Sequence, residues 1–196
     1  MWTGMTFQDA RDGTSYRTMQ SPDGLWWLAE NFRYRAAGSM DPFEGNPADH
    51  GLVYLLDAAR KVVPNGWRLP SPEEWQRLSN ARPPAEFFGP KVHIRTPDGV
   101  YNYSETITTY WSSKDGRTGM FGLSGERTNH LAHCTGTGFF IGEDLVRNDH
   151  MPVRYVRRKL AAGKVNLNSA PASGSLPSGC TTSRSPSIAS ASRREM

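Results

Sequence analysis

All 21 aromatic residues of this 196-residue chain lie between Trp2 and Tyr155, and residues 161–196 contain none. That partition constrains folding more than any other feature, because aromatic side chains supply the largest apolar areas a core can bury. The aromatic-free segment instead holds nine serines, six alanines, three prolines and three glycines. Burial there cannot offset the entropy of ordering, so a folded body over residues 1–160 and a disordered tail over 161–196 are expected. The tail reads as a dispensable extension rather than an Arg/Ser interaction segment, and its Cys180 as an incidental thiol. At 37% apolar residues the chain is a folding protein, which excludes collagen-like, coiled-coil and mostly disordered classes.

Charge follows the same boundary. Residues 1–160 carry 19 Lys and Arg against 18 Asp and Glu, whereas the tail carries four basic residues against Glu195. The overall excess of positive charge therefore belongs mainly to the tail. A duplex binder places its basic residues on the folded part to neutralise several phosphates together, so nucleic acid is not an expected partner. No run approaches the roughly 18 apolar residues of a membrane helix, and the first residues lack the basic flank and apolar stretch of a secretory signal. Neither membrane insertion nor export is expected. Only Cys134 and Cys180 occur, so there is no disulfide framework and no paired zinc spacing.

Short apolar runs alternate with turn chemistry, the pattern of many short strands. Ser21-Pro22-Asp23-Gly24 separates Tyr16–Met19 from Leu25–Leu28, and Thr96-Pro97-Asp98-Gly99 separates Lys91–Arg95 from Val100–Tyr103. Proline presets each turn and glycine accepts positive φ, so both are hairpins. Further strands are expected at Ile107–Ser112, Gly119–Leu123, Gly138–Ile141 and Val153–Arg157. Two helices interrupt them. Tyr54–Val63 places Leu55, Leu56, Ala59, Val62 and Val63 on one face and is stopped by Pro64-Asn65-Gly66. The second starts at Ser71, with Pro72 in its first turn, Glu74 closing a capping box, and Trp75 and Leu78 facing the core. The class is α+β, mostly short antiparallel strands with two helices. Without βαβ crossovers, dinucleotide-binding sheets are disfavoured.

Several strings share one pattern: Phe7–Tyr16, Trp27–Phe32, Gly51–Tyr54, Pro64–Ser71 with Glu74 and Trp75, Tyr110–Ser113, and Val153-Arg154. In order and content they resemble the Fibrobacter succinogenes major paralogous domain, over about residues 7–158. The resemblance implies a single C-type-lectin-like domain, related to formylglycine-generating enzymes and to the variable proteins of diversity-generating systems. It implies that first and last strands pair, that two helices flank the sheet, and that long late loops form the binding face. Family members carry cysteines where this chain has Val63 and Tyr155. Loss of that pair suggests folding in a reducing compartment, the cytoplasm, with any display on a particle or surface coming later.

The motif residues read as scaffold. Trp27, Trp67, Trp75 and Trp111 are core anchors whose indole N–H groups need partners. Arg11 is expected to bond Asp9 or Asp12, and Arg68 to bond Glu30 or Glu74. Chemistry is sparse. His130, His133, Cys134 and His150 have zinc-ligand atoms but not a zinc spacing, and Cys134 beside a histidine has no third group to orient a nucleophile. Asn148-Asp149 lacks the companion ligands a calcium ion requires. One body cysteine cannot reproduce the redox pair of formylglycine-generating relatives. No catalytic residue, no metal and no cofactor is therefore expected. What remains is a non-catalytic recognition domain for a protein or glycan ligand, with Arg117, Met120, Arg127, Asn129, His130, His133 and Asp149 as contacts on the loops of residues 114–150. The alternative is a structural or receptor-binding part of a phage particle or other assembly, and a homo-oligomer is compatible with either.

Overall fold

The computed structural model describes residues 2–43, 45–96, 98, 101–102, 107–115, 128–145 and 148–158. Met1–Leu160 forms one unit and Ala161–Met196 a second, which lies outside the described residues together with the expected strand at 119–123. The body opens with β1 (Thr3–Gln8), β2 (Ser15–Gln20) and β3 (Leu25–Leu28). It continues through β4 (Ser39–Met40), α1 (Pro47–His50), β5 (Val53–Tyr54), α2 (Leu56–Lys61), α3 (Pro72–Asn80) and α4 (Ala85–Phe88). The last elements are β6 (Ile94–Arg95), β7 (Tyr101–Asn102), β8 (Thr108–Asp115), β9 (Thr128–Cys134), β10 (Phe139–Leu145), β11 (Met151–Pro152) and β12 (Val156–Arg158). Every strand pairing among the described residues is antiparallel, in keeping with the α+β reading.

Both expected hairpin pairings form. β2 pairs β3 with Thr18 opposite Leu28, and Gly24 takes φ 86° while its N–H bonds Ser21 O at 2.8 Å. β6 pairs β7 with Ile94 opposite Asn102. Helix α2 is shorter than its periodic stretch, because Leu55 is its N-cap and Val62 its C-cap. Helix α3 has the full capping box, with Ser71 Oγ accepting from Glu74 N–H and the Glu74 carboxylate accepting from Ser71 N–H. Two single-turn helices, α1 and α4, add to the expected pair. Four residues are too short for an apolar period to register, although Asn46 caps α1 and prolines open both.

The termini correct one expectation. The first sheet has the order β1-β2-β3-β12, so the last strand pairs β3, not the first strand, and β1 lies at the opposite edge. β12 has its other edge covered by Arg68, which exchanges two backbone bonds of 2.9 Å with Val156. The second sheet, β10-β9-β8, is joined to the motif loops in the same way: Ser113 N–H donates to Pro70 O at 2.8 Å, and Trp111 Nε1 donates to Tyr54 O at 2.7 Å. A bulge between Trp111 and Asp115 turns β8 toward that loop.

Strand β3 is buried on both of its faces. In β3, Trp26 and Leu28 enter a first core with Tyr16, Phe32, Tyr54, Trp67, Trp111 and Tyr155. Leu25 and Trp27 enter a second core with Trp75, Leu78, Phe87, Tyr110, Cys134 and Phe139. Alternation therefore sends neighbouring residues to different cores rather than to core and solvent. Trp27, Trp67, Trp75 and Trp111 are all buried, as expected of anchors. Arg11 bonds Asp9 through two side-chain contacts of 2.6 and 2.9 Å, and Arg68 bonds Glu74 at 2.5 and 2.7 Å. Where the resemblance would place cysteines, Tyr155 instead donates its hydroxyl to Ala59 O at 2.6 Å, and Val63 packs against the first core.

Candidate functional site

The residues singled out from sequence separate into different environments. Arg117, Met120 and Arg127 lie outside the described residues. Asn129, His130 and His133 do not lie on a loop: Thr128–Cys134 is β9, the central strand of its sheet. Asn129 is fully buried, with Nδ2 donating to Asp115 Oδ1 at 3.4 Å, which takes it out of a solvent-facing contact set. His130 is half-buried and stands opposite Glu143 of β10, whose carboxylate accepts the Thr128 hydroxyl at 2.6 Å. Asp149 follows Asn148, which turns the chain with φ 57°, and precedes His150. His150 and Arg95 exchange backbone bonds of 2.7 and 3.0 Å, and burial together with the Arg95 charge lowers the imidazole pKa.

His133 is the best-defined of these side chains. It sits in one cross-strand row with Thr109 of β8 and Phe140 of β10, all on one face. Its Nδ1 is 3.0 Å from Thr109 Oγ1, and its ring stacks on Phe140 at 4.7 Å between centroids and 22° between planes. The other ring nitrogen lies over the backbone of Gly142, where an added Cβ would come within 2.7 Å of Nε2. A hydroxyl, a phenyl ring and a missing side chain thus hold the imidazole flat across three strands. Phe140 is 47% exposed, one of three large apolar side chains so exposed among the described residues, with Met5 and Phe43. Sequence reasoning passed over Phe140, yet the Phe139-Phe140 pair carries the signal. In a strand one of two adjacent aromatics faces the core and the other faces away, and here Phe139 is 5% exposed.

The same alternation separates His133 from Cys134. The cysteine enters the second core beside Tyr110 and Phe139, while His133 faces the opposite side with Thr109. Burial pushes the Cys134 thiol pKa up, so sequence adjacency makes no thiolate–imidazole pair here. Among the described residues no three His, Cys, Asp or Glu side chains converge as metal ligands. No described helix is long and apolar enough to cross a membrane.

Two surface cavities lie elsewhere. One of about 330 Å³ is lined by Arg60, Val63, Trp67, Arg68, Leu69 and Ser113, and one of about 430 Å³ by Asp23, Gly24, Leu25, Glu74, Arg77 and Arg158. Most of their charged groups are ion-paired: Arg60 bonds Asp115 at 2.5 Å, Arg68 bonds Glu74, and Arg77 bonds Asp23 at 3.2 Å. Both are open surface hollows rather than enclosed sites. Comparison with protein-family models, curated proteins and solved structures finds no match to this chain.

Proposed function

We propose that the body is a non-catalytic recognition domain on a C-type-lectin-like scaffold, and that its protein or glycan ligand meets the surface around Phe140 and His133. The observation carrying this reading is the stacked pair itself. An exposed phenyl ring rests on an imidazole already fixed by Thr109 and Gly142, so little ordering entropy remains to be lost on binding. Pre-fixed aromatic side chains are the usual energetic centre of a binding surface. The resemblance of the Pro64–Ser71 and Tyr110–Ser113 strings to the major paralogous domain supports the scaffold. So do two flanked antiparallel sheets and the closure of β12 against the Arg68 loop.

The test is a binding screen of the full chain against glycan and cell-surface protein arrays, repeated with Phe140→Ala and His133→Ala. Phe140→Ala should weaken the strongest hit at least about tenfold, equivalent to ~1.4 kcal/mol, with the melting temperature unchanged. Binding that survives both substitutions places the ligand elsewhere. Turnover of a substrate overturns the non-catalytic reading.

A further inference from the structure

Among the described residues strand β1 is an edge that lacks the usual protection. Its six residues, Thr3-Gly4-Met5-Thr6-Phe7-Gln8, contain no charge and no proline, and their pairing with β2 runs without a bulge. Natural edge strands carry at least one of those devices, because an open row of backbone groups templates pairing with another strand.

Two hydrogen bonds show which groups face outward. Asp9 N–H donates to Thr14 O at 2.8 Å, and Met5 O accepts from the Thr18 hydroxyl at 2.9 Å, so odd-numbered residues of this strand turn their backbone toward β2. The N–H and C=O groups of Gly4, Thr6 and Gln8 therefore face away from the sheet. They have no partner among the described residues. Met5 beside them is 51% exposed.

We infer that β1 pairs antiparallel with β1 of a second copy, about a two-fold axis at Thr6, joining two four-stranded sheets into one of eight. A second copy is favoured as occupant by what the strand contains. Having no ionisable side chain, it meets itself without placing like charges opposite each other. An axis at Thr6 makes Gly4–Gln8 and Thr6–Thr6 the hydrogen-bonded pairs, which are the outward-facing residues. It also sets Met5 opposite Phe7 twice, both on the face that holds Tyr16. Each exposed methionine thus gains an aromatic neighbour, and a threonine pair sits on the axis. The inference is independent of the ligand surface at Phe140, which lies on the other sheet.

Sedimentation and light scattering of the full chain over about 1–500 μM should show a monomer–dimer equilibrium. Thr6→Pro removes an outward N–H while leaving the β2 bonds in place, and should give a monomer with the wild-type melting temperature. Thr6→Lys and Thr6→Glu alone should each weaken dimerisation at least tenfold by placing like charges across the axis, and an equimolar mixture should restore a heterodimer. The mixture keeps the test informative if Thr6→Pro fails to fold. A wild-type chain monomeric throughout, a dimer that persists in Thr6→Pro with a wild-type fold, or charge variants that do not complement would each overturn the inference. A monomer that captures a foreign β-strand peptide at this edge would also overturn the self-pairing.

Discussion

At the scale of single residues, most motif side chains serve to fasten loops to sheets. Of the four tryptophans expected to need partners, Trp27 donates to Ser21 Oγ at 3.2 Å and Trp111 to Tyr54 O, whereas the Trp67 and Trp75 N–H groups have none among the described residues. Those two rings contribute apolar area: Trp75 packs on Trp27, Tyr110 and Phe139, and Trp67 on Phe7 beneath the Arg157 guanidinium. Trp75→Ala should cost about 3–5 kcal/mol by urea denaturation. Gly142 is the residue whose role is least visible in sequence. Gly142→Ala should push the His133 ring off its seat, costing about 1–3 kcal/mol, and NMR should show loss of the His133–Phe140 ring contact. Asp9 makes a pH prediction. The Arg11 hydrogen bonds, against an opposing effect of burial, hold its carboxyl below the ordinary value of 3.8. A depressed pKa contributes stability that is present above about pH 4 and lost as pH falls through the lower folded value. Arg11→Leu should therefore lower stability at pH 7 by about 1 kcal/mol and flatten its decline below pH 4, as checked by denaturation across that range.

At the scale of elements, local chemistry decides α3 and long-range pairing decides β9. Ser71→Ala removes one side of the α3 capping box and should cost about 1 kcal/mol in chemical denaturation. Glu74→Ala should cost more, because the same carboxylate also holds Arg68 and thereby the loop that covers β12. These features were legible in the chain: the Ser-Pro-Asp-Gly turn, the capping box, the periodic face of α2 and the Asn-Gly stop at Gly66, which takes φ 78°. Strand β9 was not legible. Thr128-Asn129-His130 and His133 give it the composition of a loop, and its buried polar groups are offset by partners on other strands, Asp115 and Glu143 among them. The pairing of β12 with β3 was equally hidden, since nothing local in Val156–Arg158 distinguishes β1 from β3 as neighbour. At the candidate site His133 was found by residue type, while Phe140, Thr109 and Gly142 needed the register between three strands.

At the scale of the whole molecule, one buried cation gathers segments that are distant in sequence. Arg154 is fully buried, donates to Asn31 Oδ1 at 3.1 Å, to Phe88 O at 3.0 Å and to Phe87 O, and lies over the Phe87 and Tyr110 rings. The end of α4, the Asn31 corner, β8 and the last strand region thus meet on one guanidinium. Arg154→Met preserves bulk but leaves the Phe87 and Phe88 carbonyls without their donor, while Asn31 Oδ1 keeps the Tyr110 hydroxyl, and should cost about 2–3 kcal/mol in thermal or chemical unfolding. Because both cores are drawn from residues no later than Val156, a chain ending at Leu160 should keep the melting temperature of the full chain in calorimetry. The alternation of β3 between two cores has an optical counterpart. Trp26, Trp67 and Trp111 belong to one core and Trp27 and Trp75 to the other, so the indoles are built-in reporters of two separate interiors. With fluorinated tryptophan, the two groups of resonances should bleach at the same denaturant concentration, because a strand shared by both interiors cannot let go of one and keep the other.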